Sequence, residues 1–328
     1  MRISKSQDKL VVGALVAEAG KRVDGYLKIG VMPDGQPARL PIALINGAEP
    51  GKTLYLQSVS DGDELNGLAV IHEVLNKVHP ETLRGRIIAV PIVNLHGFHA
   101  RQAYNPVDNA KMNRCFPGRP DGSSSERIAY RLFYTAIRQA DYCIDLHQGG
   151  VQPMIDEVRV RVGRKHAQHK ACFELARVFG IGYILDQKGP AGQLAQAAPD
   201  IGIPTIDPEL GGSHGWDSTS IAKGTRGVMN VLKHHDFIDG EPEIPQWQVV
   251  AGRFVTLYST HGGFIYHQVN LYDTVEAHQP IAEIRDAFGH TREVIRAPEG
   301  GIFWSKPLYP MVASGGSVGK LGIPIEYV

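Results

Sequence analysis

The chain has 328 residues, with 34 Lys+Arg against 34 Asp+Glu, 43% hydrophobic and 21% charged residues, 37 Gly, 21 Pro and 3 Cys. That length is more than one compact core usually holds, so a large catalytic-sized domain with a small appendage is expected, and the apolar content argues against disorder. A formal charge of zero offers no field to a phosphate backbone or an anionic leaflet, which argues against nucleic acid and membrane as partners. No end shows a basic-then-apolar signal and no apolar run reaches bilayer length. Cys115, Cys143 and Cys172 cannot all pair and lack metal-type spacing, so a reducing cytoplasm is the expected compartment.

An opening stretch of mixed polarity leads to an apolar, strand-like run from Leu40 to Ile45 that ends at the turn-favouring Asn46-Gly47. Leu54-Tyr55-Leu56 is followed by the polar Ser60-Asp61-Gly62-Asp63-Glu64, and Leu68, Ile71 and Leu75 then take helical spacing. The β-branched run Ile87 to Val93 reads as a buried strand of a parallel sheet. The excursion from Asn94 to Ser125 is too long for a simple connector and is expected to be functional. Ser123 and Glu126 stand at capping-box spacing before an amphipathic helix through Ile137. Tyr142 to Leu146 is a short strand ending at His147; Val158, Val160 and Val162 alternate with arginines; Ala167 to Phe179 reads as helix, Ile203 to Ile206 as strand and Ser220 to Leu232 as helix. Strands alternating with helices predict a mostly parallel α/β sheet with its ligand crevice beyond the carboxyl ends of the strands.

From about Pro242 short β-type runs follow one another with Gly and Pro punctuation and no helix, which predicts a small all-β module. Glu241-Pro242-Glu243-Ile244-Pro245 reads as the linker, dividing the chain into residues 1–241 and 242–328.

Asp61 and Glu64 lie three apart in a loop between strand and helix, so both carboxylates can face one crevice, where His147 at another strand end can join them. Two carboxylates and an imidazole are three protein ligands, and a divalent ion so held keeps a position open for water or substrate. The same loop also reads as a hydrophilic turn with Glu64 at a helix start, where carboxylates are favoured in any case.

The order Asp-Gly-Asp-Glu-Leu-Asn-Gly (61 to 67), Asn113-Arg114-Cys115-Phe116-Pro117-Gly118, Asp145-Leu146-His147 and Pro208-Glu209-Leu210-Gly211-Gly212 resembles the succinylglutamate desuccinylase/aspartoacylase family, zinc amidohydrolases related to metallocarboxypeptidases. The resemblance runs from roughly Ile42 to Leu232 and implies a metallocarboxypeptidase-like mixed, mostly parallel sheet with helices on both faces. It makes Glu64 and His147 metal ligands, with Asp61 where the family has its first ligand histidine. Asn113 and Arg114 match the pair that grips a substrate carboxylate, for which a guanidinium fork is well suited. Glu209 matches the general base, and Asp145 is in position to hold the other nitrogen of His147 or to cap the strand. The C-terminal halves Gly262 to Asp286 and Glu293 to Leu321 resemble a biotinyl/lipoyl-type barrel, but the turn Ala287-Phe288-Gly289-His290 lacks a modifiable lysine, so the module is expected to be structural, covering the site's mouth or joining subunits.

Two positions depart from the family pattern. Aspartate oxygen binds zinc at about 2.0–2.2 Å, so Asp61 need not abolish the site. Two carboxylates cancel the ion's charge, however, which predicts a weaker Lewis acid, a higher pH optimum and better tolerance of manganese or cobalt. Ala103 stands where relatives often have an oxyanion-stabilising arginine; Arg101, His99 and Tyr104 are candidate substitutes, and His214 is a further candidate for lining the pocket. His96 and His99 read as loop residues.

The activity so implied is zinc-dependent hydrolysis of the amide bond of an N-acyl amino acid or a similar small carboxylate-bearing amide, with Glu209 passing the proton from water to the leaving amine. A carboxypeptidase acting on short peptides and a catalytically impaired binding protein on the same fold are the alternatives. No motif encodes an oligomeric state; an α/β domain with a β appendage is compatible with a homo-oligomer, of which cyclic dimers are the commonest.

Overall fold

In the computed structural model, which describes residues 8–150, 152–212 and 215–328, hydrophobic runs bounded by turn residues become strands of one long sheet. A hairpin of β1 (Lys9–Val12) and β2 (Leu15–Glu18) precedes β3 (Lys21–Val31), β4 (Pro37–Asn46) and β5 (Glu49–Ser58). Then come α1 (Asn66–Lys77), β6 (Arg84–Val90), α2 (Leu95–Ala100), α3 (Ser124–Thr135), β7 (Tyr142–Leu146), β8 (Glu157–Val160), α4 (His169–Phe179) and β9 (Tyr183–Asp186). The short α5 (Leu194–Ala197), β10 (Thr205–Glu209) and α6 (Ser218–His234) follow. The rest is all β: β11 (Val249–Tyr258), β12 (Gly263–His267), β13 (Thr274–Val275), β14 (Pro280–Arg285), β15 (Thr291–Arg296), β16 (Gly301–Ser305), β17 (Met311–Val312) and β18 (Ser317–Tyr327).

Twelve strands form the main sheet in the order β13-β16-β18-β11-β9-β8-β10-β7-β5-β6-β4-β3. Parallel pairing holds the centre, β10 to β7 to β5 to β6, while β3 and β4 at one edge run antiparallel. Helices cover both faces, as the family resemblance implies. On one, Val70, Val74, Leu175, Val228 and Val231 of α1, α4 and α6 pack on Ile45, Leu56, Ile87 and Ile144. On the other, Ile128 and Leu132 of α3, Leu194 of α5 and Leu10 and Val12 of the first hairpin pack on Leu40, Leu44 and Tyr55. The strand, loop and helix expected around residue 60 is present as β5, loop and α1, and the cap expected before α3 is made by Glu126 Oε2, which accepts from Ser123 N at 2.8 Å.

Three strands at the amino end and β9 are additions to the sequence reading. β3 exposes most of its length at the sheet edge, so its alternation is blurred by charges and glycine, and β9 has only four residues. The C-terminal strands are not a separate bead: β11 pairs in parallel with β9, so β11, β18, β16 and β13 prolong the main sheet, and β12, β14, β15 and β17 form a second sheet of four strands. Asn230 of α6 pins the 241–245 segment, donating to Glu243 O at 3.0 Å and accepting from Glu243 N at 2.8 Å. Among the described residues no helix is long and apolar enough to cross a membrane.

Candidate active site

Three strand ends and one helix start are stitched together at the carboxyl edge of the sheet. His147 N donates to Pro208 O and Leu210 N to His147 O, locking the ends of β7 and β10 side by side. The side chain of Gln148 accepts from Leu65 N (2.8 Å) and Asn66 N (3.0 Å), occupying amide donors that a helix start leaves without partners. Asn66 then joins α1 to the end of β10 and the start of α6, donating to Leu210 O and accepting from Asp217 N. The glycines of the 61–67 motif are explained by close approach: a Cβ at Gly67 would stand 2.7 Å from Leu146 Cβ and 2.8 Å from Ser58 Cβ, and one at Gly62 would overlap the Gly97 backbone.

The result is a cavity of about 570 Å³ lined by Asp61, Glu64, Asn113, Arg114, His147 and Glu209. One ligand atom each of Asp61, Glu64 and His147 lies within 4.8 Å of the others. Glu64 N donates to Asp61 O, so the intervening turn sets both carboxylates on the same side. His147 Nδ1 stands 2.9 Å from Glu64 Oε2, which also accepts from Gln148 N at 3.0 Å. Asp61 Oδ2 takes Lys111 Nζ at 3.0 Å and Asn113 Nδ2 at 3.3 Å, whereas Asp61 Oδ1 is buried and has no hydrogen-bond partner. A buried oxygen left in that condition is costly unless something else is bound to it, and this donor set suits a divalent ion.

Electrostatics agree with that reading. Burial and the neighbouring charge of Asp61 push the Glu64 carboxyl up to about 8. For His147, burial favours the neutral ring, but the charges of Asp207 and Asp145 and the hydrogen bonds to Asp145 and Glu64 outweigh it and hold the imidazole well above its ordinary value.

Behind the imidazole, His147 Nε2 stands 3.3 Å from Asp145 Oδ2. Asp145 Oδ1 accepts from Gln57 Nε2 (2.9 Å) and Ser60 Oγ (3.3 Å), and Gln57 Oε1 accepts from Tyr55 OH (2.8 Å). This buried chain fixes the ring so that Nδ1 faces the cavity, the usual service of a carboxylate behind a metal-binding histidine.

Glu209 lies beside His147, on the neighbouring strand end. Burial raises its carboxyl above the ordinary value against the pull of Arg159, whose Nη1 is 2.5 Å from Glu209 Oε1. A second convergence, of His147, Asp207 and Glu209, also has ligand-like geometry. There, however, Arg159 and Arg161 already stand against the carboxylates, at 2.5 Å from Glu209 and 3.5 Å from Asp207, whereas among the described residues Lys111, on Asp61, is the one lysine or arginine ion-paired to Asp61 or Glu64. The first group is therefore the better cation site.

Of the residues expected from sequence, Asp61, Glu64, Asn113, Arg114, His147 and Glu209 all line the cavity. Arg114 stands at its rim, with Nη1 donating to Asn113 O and Asn113 Oδ1 at 2.8 Å each. Arg101 does not line it: it ends α2 in a left-handed conformation (φ 55°) with its side chain exposed. His99 is exposed outside the cavity, while Ala103 and Tyr104 line it. His214 lies outside the described residues. Sequence reasoning missed Lys111, Arg159, Arg161, Asp207, Phe254 and Lys320 as lining residues. The signal for two of them was present in the valine–arginine alternation, because a period of two puts Arg159 and Arg161 on one face, opposite Val158 and Val160.

Phe254 and Lys320 come from β11 and β18, so the C-terminal strands supply part of the cavity wall. They are held there by Tyr272, whose hydroxyl donates to Asp156 Oδ2 at 3.0 Å, and by backbone bonds from Ile155 to Trp304 and from Lys306 to Pro153.

Carboxylates, an imidazole and guanidinium groups thus converge on one polar cavity at the sheet edge, and the class of protein that carries this catalytic domain is an amide hydrolase. Residues 50–235 match the model of the succinylglutamate desuccinylase/aspartoacylase catalytic domain, and the chain belongs to that family. N-alpha-acetyl-L-2,4-diaminobutyric acid deacetylase of Halomonas elongata is 27% identical over 317 residues, which cover 92% of each chain. The product-bound structure of the ectoine utilization protein EutE (DoeB) from Ruegeria pomeroyi is similar with a TM-score of 0.87 and 25% identity, over 98% of this chain and 100% of that one. A succinylglutamate desuccinylase from Silicibacter sp. is similar with a TM-score of 0.83 and 26% identity, over 92% of this chain and 95% of that one.

Proposed function

We propose that the chain is a metal-dependent deacylase that hydrolyses the amide bond of an N-acyl amino acid, with zinc held by Asp61, Glu64 and His147. The observation that carries this reading is the meeting of one ligand atom from each of those residues within 4.8 Å, together with a buried Asp61 Oδ1 that has no hydrogen-bond partner, in the cavity that Glu209 and Arg114 also line. When bound there, the ion supplies Lewis acidity toward the substrate carbonyl and water.

The chain's own groups do the rest. Arg114, with Asn113, takes the substrate carboxylate at the rim and so sets which amide enters the cavity. Glu209 accepts the proton of the attacking water on one oxygen and returns it to the leaving amine, a task matched to a carboxyl raised by burial. Arg159 keeps that carboxylate aimed by holding Oε1 and leaving Oε2 without a hydrogen-bond partner. Tyr104 lines the same cavity and is the candidate donor to the oxyanion in place of the arginine absent at Ala103. In this reading residues 1–241 carry the chemistry and residues 242–328 wall the site.

The test is an assay of zinc-loaded and chelator-stripped protein against N-acetyl and N-succinyl amino acids, N-alpha-acetyl-diaminobutyric acid and dipeptides. Zinc-restored release of acyl acid from the first groups supports the reading. Cleavage of dipeptides alone makes the chain a carboxypeptidase, and zinc binding with no turnover of any of them makes it a binding protein.

A further inference from the structure

We propose that Lys111 is a built-in counter-charge to Asp61: its ammonium keeps the Asp61 carboxylate one-sided and cancels its charge, so that the aspartate serves the metal site as a near-neutral ligand. The inference rests on the metal-site reading and adds a residue to it.

The geometry is specific. Lys111 Nζ stands 3.0 Å from Asp61 Oδ2, on a side chain 30% exposed against 5% for the aspartate. Asn113 Nδ2 approaches the same oxygen at 3.3 Å. The carboxylate is therefore divided, with Oδ2 taken up by two donors and Oδ1 buried and unpartnered, and Asp61 contributes one oxygen to the group with Glu64 and His147. Lys111 is itself oriented by the Tyr104 ring, 5.7 Å from its ammonium, and is separated in sequence by one residue from the Asn113-Arg114 pair.

Charge counting gives this arrangement its meaning. Two carboxylates and a neutral imidazole leave a divalent ion with no net charge in its ligand set, whereas two imidazoles and one carboxylate leave one positive charge, which is what favours ionisation of water at the ion. With the Lys111 ammonium included, that positive charge is regained. The same ammonium repels the incoming ion, so the arrangement sacrifices metal affinity for electrophilic strength. A weak Lewis acid, the expectation from Asp61 alone, is then not the property of the whole cluster.

The experiment is a competition titration of zinc against a chromophoric chelator, using metal-free full-length protein and its K111M, K111Q and K111R variants, with folding followed by circular dichroism. K111M and K111Q are expected to bind zinc at least tenfold more tightly than the unaltered chain, with K111R within about threefold of it, because charge and not hydrogen bonding is what is removed. Zinc affinity in the folded K111M and K111Q variants that is unchanged or weaker assigns Lys111 a merely structural role and overturns the proposal while leaving the deacylase reading intact. An unaltered chain that binds no zinc overturns both.

Discussion

Arg159 joins two buried carboxylates at once, with Nη1 2.5 Å from Glu209 Oε1 and Nη2 2.8 Å from Glu157 Oε1. Register explains the meeting, since β8 and β10 pair with Asp207 opposite Arg159 and Glu209 opposite Glu157. Removing the guanidinium strands both acids. Arg159→Met is expected to lose about 3–5 kcal/mol of stability at neutral pH, the usual cost of breaking a buried ion pair from one side. Burial raises both carboxyls even with Arg159 present, so the deficit narrows as pH falls and they protonate. Urea unfolding at two pH values measures this, and a pH-independent loss would point to packing instead.

Glu209→Gln keeps the shape of the proposed base and removes its proton affinity. A fall in kcat of about 10²–10⁴-fold is expected, with zinc affinity within about threefold of the parent. Zinc lost together with activity would assign Glu209 to ion binding through the second cluster with His147 and Asp207.

The Glu64 carboxyl, pushed up to about 8 by burial and by Asp61, sets a sign for pH effects in the metal-free protein. A raised folded value means a contribution to stability that is complete below the ordinary glutamate range and lost as pH rises through about 8. Metal-free protein is therefore expected to soften between pH 5 and 9, and zinc to reverse this by replacing the proton. Calorimetry in buffers of different ionisation enthalpy is expected to show protons released from both Glu64 and His147 on zinc binding at pH 7, and fewer once the pH rises past the Glu64 value of about 8. Proton release that does not change with pH would show that Glu64 is already ionised.

Gly67→Ala places a methyl group where Leu146 and Ser58 Cβ atoms leave no room, so the start of α1 must lift from β5 and β7. Because Glu64 and the Gln148 cap ride on that junction, zinc affinity is expected to fall at least tenfold along with the melting temperature. A variant with a lowered melting temperature and unaltered zinc affinity would uncouple the packing from the site.

Periodicity made the central strands legible, because the inner segments 42–45, 54–56 and 87–90 of β4, β5 and β6 are apolar runs buried throughout. Asp145 and His147 at one strand end were legible because residues two apart share a face, whereas Asp207, two before Glu209, was not read although the same spacing applies to it. Arg159 and Arg161 were visible only as an alternation, since a charged residue in a β-branched strand acquires meaning when its opposite charge is found on a neighbour. Lys111 was illegible. Its partner is 50 residues away, and the loop that carries it is shaped by side chains such as Asn94, which binds Gly97 N and Ala103 O, and Asp108, which binds Ser125. Such bonds leave no repeating pattern in sequence.

The seam between β9 and β11 has one more consequence. Because the far wall is hydrogen-bonded into the same sheet that presents His147 and Glu209, the enclosure cannot swing apart like two jaws around a bulky guest. Shearing the chain after residue 241 would bare the flank of β9 to stray pairing partners and remove the Phe254 and Lys320 side of the enclosure.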